Sequence, residues 1–76
     1  MKSTDTMVSL TLPSLDVGQI LAGLAVLIEQ WDATARYLRT GEIGDEIIRE
    51  CHRPEEAESI ARDYSTIAEE IERQLP

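Results

Sequence analysis

The sequence predicts a mainly α-helical chain, an antiparallel helical hairpin that assembles as a homo-oligomer. Apolar residues recur at alternating spacings of four and three over residues 16–40 and at spacings of three or four over 54–75, as in helices packed along other helices. Two long helices joined by a short connection form an antiparallel pair. The first seam comprises Val17, Leu21, Leu24, Ile28, Trp31, Ala35 and Leu38, and the second comprises Ala57, Ile60, Tyr64, Ile67, Ile71 and Leu75.

The length of the chain is the reason to expect an oligomer. A single domain of 76 residues is near the size at which one hydrophobic core is marginal. Its one cysteine, Cys51, excludes an intramolecular disulfide, so self-association is the remaining means of stabilisation. The run from Val17 to Ile28 has no charge, and we expect it to form the interface. The expected interface residues are Val17, Gly18, Leu21, Ala22, Leu24, Ala25 and Ile28.

The small residues in this run have two interpretations. Gly18, Ala22 and Ala25 lie on one stripe of the helix, which would let the backbone of another subunit approach closely. Alternatively, they fit a tight hairpin within one chain. Both alternatives stay open at this stage.

The net charge of −8 argues against direct binding of nucleic acid or anionic membranes, which requires clustered Lys and Arg. The uncharged run is shorter than the ~20 apolar residues needed to span a bilayer. Lys2 is followed by polar residues, without the apolar segment of a signal peptide. We therefore expect a cytoplasmic protein.

The chain begins with a flexible start over residues 1–7 and a short strand or extended arm over 8–12. Val8, Leu10 and Leu12 alternate with polar residues, so a strand here would pair with its copy in another subunit. Ser14 or Asp16 is expected to cap the first helix, with Gln19 completing a capping box. Gly41 is the expected left-handed stop.

The connection between the helices is ambiguous in the sequence. Apolar residues at 43, 47, 48 and 51 favour a short helix over 45–51. The alternative is a strand over 46–51 that pairs with residues 8–12. Pro54 should open the closing helix, in which two ion pairs are expected, Glu58 with Arg62 and Glu69 with Arg73.

No residue pattern in the chain points to catalysis, and we expect no enzyme, cofactor or metal. Cys51 and His52 are adjacent, so on a helix their side chains would point about 100° apart and would not form a thiolate–imidazole pair. One His and one Cys do not make a metal-ligand motif. The carboxylate clusters are interpreted as solvated surface.

Basic and aromatic side chains concentrate between positions 31 and 53. Arginine guanidinium groups, aromatic rings and hydroxyls are what an anionic, ring-bearing ligand such as a nucleotide requires. The alternative is that Trp31 belongs to the helix seam and that the arginines pair with neighbouring acids. The candidate ligand-binding residues are Trp31, Arg36, Tyr37, Arg39, Thr40, Arg49 and Arg53.

The overall plan resembles that of small bacteriophage and prophage proteins. The features that carry this resemblance are a short polar start, an apolar helix running into Trp31–Gly41, and the turn Arg49–Ala57 into a closing helix. Some phage proteins of this size inhibit bacterial defence, including helical oligomers that sequester nucleotide-like immune signals. The resemblance therefore implies an anti-defence protein in a bacterial host cell that holds such a signal between subunits.

A second hypothesis comes from the acidic residues of the last helix. Under this hypothesis the chain is an acidic protein–protein inhibitor or scaffold that acts on a basic partner surface. The acidic face comprises Glu55, Glu56, Asp63, Glu69 and Glu70.

Overall fold

Two helices form the fold of this chain in a computed structural model that describes residues 6–76. Helix α1 spans Ser14–Thr40, helix α2 spans Pro54–Arg73, and the two pack along each other. The end of α1 meets the start of α2 at Arg39 and Glu58, so the pair is antiparallel. The predicted helical hairpin is confirmed. The predicted flexible start over 1–7 lies mostly outside the described residues.

Helix α1 begins two residues earlier than predicted, and the expected cap is wrong. Pro13 precedes the helix with φ −58° and ψ 147°, and its carbonyl oxygen accepts the N–H of Val17 at 3.1 Å. No side chain caps this end, and Asp16 lies inside the first turn near the positive end of the helix dipole. The fixed φ of proline places the chain for a helix that starts at Ser14.

The predicted stop of α1 is confirmed at Gly41. Its φ is +80°, a left-handed conformation that glycine adopts at little cost, and its N–H donates to the carbonyl oxygen of Tyr37 at 2.8 Å. The second helix opens at Pro54, as predicted, with Glu55 and Glu56 in its first turn. It ends at Arg73, two residues before the predicted end.

Both expected ion pairs within α2 are replaced by others. Glu58 pairs with Arg39 of α1 and not with Arg62, because the guanidinium group of Arg39 reaches both carboxylate oxygens of Glu58 across the hairpin. Arg73 pairs with Glu70, one turn back, and not with Glu69.

The predicted elements outside the two helices are absent between residues 6 and 76. Residues 6–13 and 41–53 contain neither helix nor strand, so the short helix over 45–51 and its strand alternative are both wrong. A helix of that length gains few hydrogen bonds for the cost of nucleation. The N–H of Arg49 donates instead to the side chain of Thr34. The expected strand over 8–12 has no partner strand in the described chain.

The core of the described chain is small and lies near the closed end of the hairpin. Its buried residues are Ala33, Thr34 and Ala35 on α1 and Ala57 and Ala61 on α2. Three consecutive buried residues span about 200° of a helix, which is more than a single neighbouring helix covers. A second element therefore encloses this part of α1.

That element is the connection between the helices. Residues 46–49, which we call the strap, contact α1 at two places on its circumference. Glu46 faces Arg36, and the backbone of Arg49 is bonded to Thr34. On the helix surface Ala33 lies between those two places, on the side opposite Ala35. The strap therefore crosses the outward side of α1 over Ala33, while Ala35 faces α2.

The first half of α1 is covered less completely. Ile20 is 44% exposed and Val26 is 50% exposed, and Gly18, Ala22 and Ala25 are also exposed. Neither helix is both long enough and apolar enough to cross a membrane, within residues 6–76.

Candidate binding surfaces

One polar cluster of the described chain is built around Arg49. Its Nε atom donates to the side-chain oxygen of Gln30 at 2.9 Å, and its guanidinium carbon lies 5.9 Å from the centre of the Trp31 ring. Gln30 and Trp31 are neighbours on α1, and Thr34 fixes the backbone of Arg49 one turn further on. The structure therefore brings Trp31 and Arg49 together, as a ligand site would require, but with Arg49 already held by an amide and an aromatic ring.

The other candidate arginines also lie against acceptors of the same chain. Arg36 is 3.7 Å from Glu46, and Arg53 is 3.7 Å from Glu55. Both pairs are solvent-exposed, and exposed ion pairs of this length contribute little to stability. An anion could displace either carboxylate, but it would have to compete with it.

Arg39 and Glu58 form an ion pair that links α1 to α2. Nε and Nη2 of Arg39 each donate to one carboxylate oxygen of Glu58, both at 2.9 Å. The hydrogen bond with Arg39 lowers the pKa of Glu58 below its ordinary value, and the same bond raises the pKa of Arg39. This bidentate pair serves the packing of α1 on α2, so Arg39 is occupied where the sequence suggested a ligand.

The two remaining candidates belong to the end of α1. The hydroxyl of Thr40 donates to the carbonyl oxygen of Arg36 at 2.9 Å and accepts the N–H of Glu42 at 3.1 Å. It therefore helps to end the helix. Tyr37 is 37% exposed, at the same end of the hairpin.

A groove that the sequence did not indicate lies at the open end of the hairpin. Its volume is about 520 Å³, and it is bounded by the N-terminal arm, the start of α1 and the end of α2. The alternation at Val8, Leu10 and Leu12 was interpreted as a strand or arm and did not predict a groove, because Ile71 and Leu75 join its lining from far along the chain. The groove contains none of the seven candidate ligand residues.

A second, shallower depression lies between α1 and the strap. Its volume is about 400 Å³, and its lining includes Val26 and Ile47 together with the carboxylates of Glu29, Asp45 and Glu46. Three carboxylates make this a poor place for an anion. It too contains none of the seven candidates.

The residues considered as candidates for catalysis or metal binding either make structural contacts or are exposed to solvent. The Sγ atom of Cys51 lies 3.3 Å from the carbonyl oxygen of Arg53 and 3.4 Å from a carboxylate oxygen of Glu56. These two acceptors share its one S–H, and the contact helps to lead the chain into α2. His52 is exposed beside it. No cluster of three or more His, Cys, Asp or Glu side chains suits a metal ion in the part of the chain that the structure describes.

The expected interface residues fall into two groups. Val17, Leu21, Leu24 and Ile28 are half-buried, on the same side of α1 as Ala35, and therefore face α2. Gly18, Ala22 and Ala25 are exposed. The four-three seam predicted from sequence thus belongs mainly to the hairpin itself, and the small residues lie beside it.

Comparisons of the chain with protein-family models, curated proteins and solved structures find no match.

Proposed function

We propose that this chain is a non-catalytic binding protein that works as a homo-oligomer. The observation that supports the proposal is the small core, in which the four buried apolar side chains of residues 6–76 are all alanines. The leucines and isoleucines of the first half of α1, which folded domains usually bury, stay partly exposed. A second subunit would remove that surface from water and gain ~25 cal/mol per Å² of apolar area.

Sedimentation velocity and native mass spectrometry of the full chain test this proposal. We expect a dimer or larger oligomer at micromolar concentration. A chain that remains monomeric at about 100 μM, where even weak specific complexes form, would contradict it.

Charge favours a basic protein surface as the partner of this oligomer. Helix α2 contains seven acidic and two basic residues, so it alone carries −5 of the net charge of −8. Asp63 and Glu69 are exposed and have no ion-pair partner in the described chain. In contrast, the arginines near the strap are already paired.

The interaction with a basic partner should depend on charge and salt. We expect Asp63→Lys combined with Glu69→Lys to abolish it, and added salt to weaken it, because surface charges are screened over ~8–10 Å at moderate ionic strength. Asp32→Lys combined with Glu29→Lys, which makes the same charge change on α1, is the matched control. A partner that is retained equally by both double variants would argue against recognition through α2.

Sequestration of a small anionic, nucleotide-like ligand is the second candidate, and Arg49 supports it. Its guanidinium group is oriented by Gln30 over the Trp31 ring, which prepares a flat cationic surface for a base or a phosphate. In a phage-type inhibitor this surface would contribute to a pocket between subunits.

The mass and absorbance of protein purified from bacterial lysate distinguish the two candidates. Extra mass with nucleotide-like absorbance that disappears in Arg49→Ala, while the oligomer persists, would support sequestration. If the added mass is a protein and Arg49→Ala leaves it bound, the acidic surface of α2 is the binding site.

A further inference from the structure

We propose that the depression between α1 and the strap binds a short basic segment of another protein, in which an aliphatic side chain is flanked by Lys or Arg. The site is separate from the acidic surface of α2 and does not depend on it. The observation that carries the proposal is that aliphatic side chains and carboxylates line the same depression. Its lining residues are Val26, Glu29, Gln30, Asp45, Glu46 and Ile47.

The depression lies on the side of α1 that faces away from α2, and its walls are already in place. Val26 and Gln30 lie close to the line of Ala33, which is the outward side of the helix. The strap forms the facing wall, and it is attached to α1 because the N–H of Arg49 donates to the buried hydroxyl of Thr34 at 2.8 Å. An occupant therefore does not have to order the depression when it binds.

Two aliphatic side chains in the depression remain accessible. Val26 is 50% exposed and Ile47 is 64% exposed. The depression has a volume of about 400 Å³, within the range of clefts that bind ligands in proteins. An aliphatic side chain of a partner that covers Val26 and Ile47 would remove apolar area from water, which favours its binding.

The carboxylates determine the charge of the occupant. Glu29 and Asp45 are exposed and form no ion pair with the rest of residues 6–76, whereas Glu46 lies 3.7 Å from Arg36. Negative charge therefore stands uncompensated beside the aliphatic side chains, and it repels an anion. Lys or Arg on either side of an aliphatic residue supplies the cations that Glu29 and Asp45 lack.

A second copy of this chain is a poor occupant for the same reason. The chain has 15 acidic and seven basic residues, so its surface would bring further carboxylates toward those of the depression. Like charges that meet across an interface oppose association, and complementary charges select the partner. The occupant that fits is a basic segment of a different protein.

An NMR titration of the full chain tests the site with two probe peptides. Acetyl-Lys-Lys-Leu-Lys-Lys-amide has both the charge and the aliphatic group, and acetyl-Lys-Lys-Ser-Lys-Lys-amide has the charge alone. We expect the leucine peptide to shift the backbone amide signals of Val26 and Ile47. It should bind about fivefold or more tightly than the serine peptide, because only leucine covers apolar area.

One pair of variants tests the apolar contact. Ile47→Ser and Ile43→Ser each remove an isoleucine that is 64% exposed, but only Ile47 lines the depression. We expect Ile47→Ser to weaken binding of the leucine peptide about threefold or more, and Ile43→Ser to leave it unchanged. The dispersion of the NMR spectrum shows whether each variant is folded.

A second pair of variants tests the charges. Glu29→Gln combined with Asp45→Asn removes two negative charges from the depression, and Asp63→Asn combined with Glu69→Gln removes two from the exposed side of α2. At physiological ionic strength, charges more than ~8 Å apart are largely screened. We therefore expect the first combination to weaken binding of the leucine peptide about threefold or more, and the second to change it less than about twofold.

Equal affinity for the two peptides, or equal weakening by both members of either pair, would overturn the proposal, because only attraction between opposite net charges would remain. Shifts of the Val26 and Ile47 signals when the chain alone is concentrated would also overturn it, because a second copy would then fill the depression. A monomeric chain, or a basic partner indifferent to α2, would contradict the function proposed above but would leave these shifts and affinities as expected.

Discussion

The hydroxyl oxygen of Thr34 and the backbone nitrogen of Arg49 lie 2.8 Å apart, and this hydrogen bond attaches the strap to α1. The same hydroxyl donates to the carbonyl oxygen of Gln30 at 2.8 Å, so a fully buried group is satisfied both as donor and as acceptor. Nothing in the spacing of residues 42–53 indicates this contact.

Replacing Thr34 with valine should destabilise the fold by ~1–3 kcal/mol. Valine has a similar shape but leaves the N–H of Arg49 without its acceptor. The free energy of unfolding, measured by urea denaturation, checks this expectation. Thr66→Val is the control, because Thr66 is exposed and its hydroxyl bonds only to the carbonyl oxygen of Arg62; it should change stability by less than ~0.5 kcal/mol. Equal effects of the two variants would mean that the strap contact is unimportant.

Enlarging Ala33 should displace the strap. Its side chain is 2% exposed, and Ala33→Leu would place three more carbon atoms where the strap crosses the helix. Overpacking of this kind costs ~1–3 kcal/mol. Thermal unfolding and amide hydrogen exchange at Arg49 measure the two consequences, lower stability and faster exchange. Ser59→Leu, at an exposed position of α2, should leave exchange at Arg49 unchanged.

The pair of Arg39 and Glu58 should make stability depend on pH in the acid range. The pKa of Glu58 is lower in the folded chain than its ordinary value, so the folded state favours the charged form. Its contribution is therefore complete above the unfolded-state pKa of ~4.3, and it is lost as pH falls through the lower folded-state pKa. Urea denaturation between pH 7 and 2.5 should show a smaller loss of stability in Glu58→Gln than in the original chain. Identical pH profiles would show that the pair contributes nothing.

Gly41 should tolerate asparagine better than alanine. At φ +80° a Cβ atom is strained, by roughly 1–2 kcal/mol for most residues and less for asparagine. We expect the free energy of unfolding to fall in the order Gly41, Gly41→Asn, Gly41→Ala. If Gly41→Ala leaves the free energy of unfolding unchanged, the left-handed conformation at position 41 is not required to end α1.

The helices were predictable from sequence because their signals are local. The apolar spacing along α1 and α2, Gly41 as a stop and Pro54 as a start each act within a few residues and are found where expected. The cap of α1 was missed because Pro13 competed with Ser14 and Asp16 for the same place, and sequence alone does not rank them.

The connection and the candidate site were less predictable because they depend on distant partners. Apolar spacing at 43, 47 and 51 suggested a helix, but the N–H of Arg49 finds its acceptor on Thr34, 15 positions away. The arginines were identified as a basic cluster, with pairing to neighbouring acids as the alternative. The fold supplies the partners, Glu46 for Arg36 and Glu58 for Arg39. The groove at the open end unites residues from both ends of the chain.

The path of the strap also has a consequence for the handedness of the hairpin. In a hairpin of this kind the connection can in principle pass around either flank of the first helix. The chain leaves α1, passes over Ala33 and reaches α2 from the flank marked by Thr34. In the opposite arrangement the chain would turn the other way, and the buried hydroxyl of Thr34 would lose the N–H of Arg49. The hydrogen bond between Thr34 and the N–H of Arg49 therefore favours the observed path of the connection around α1.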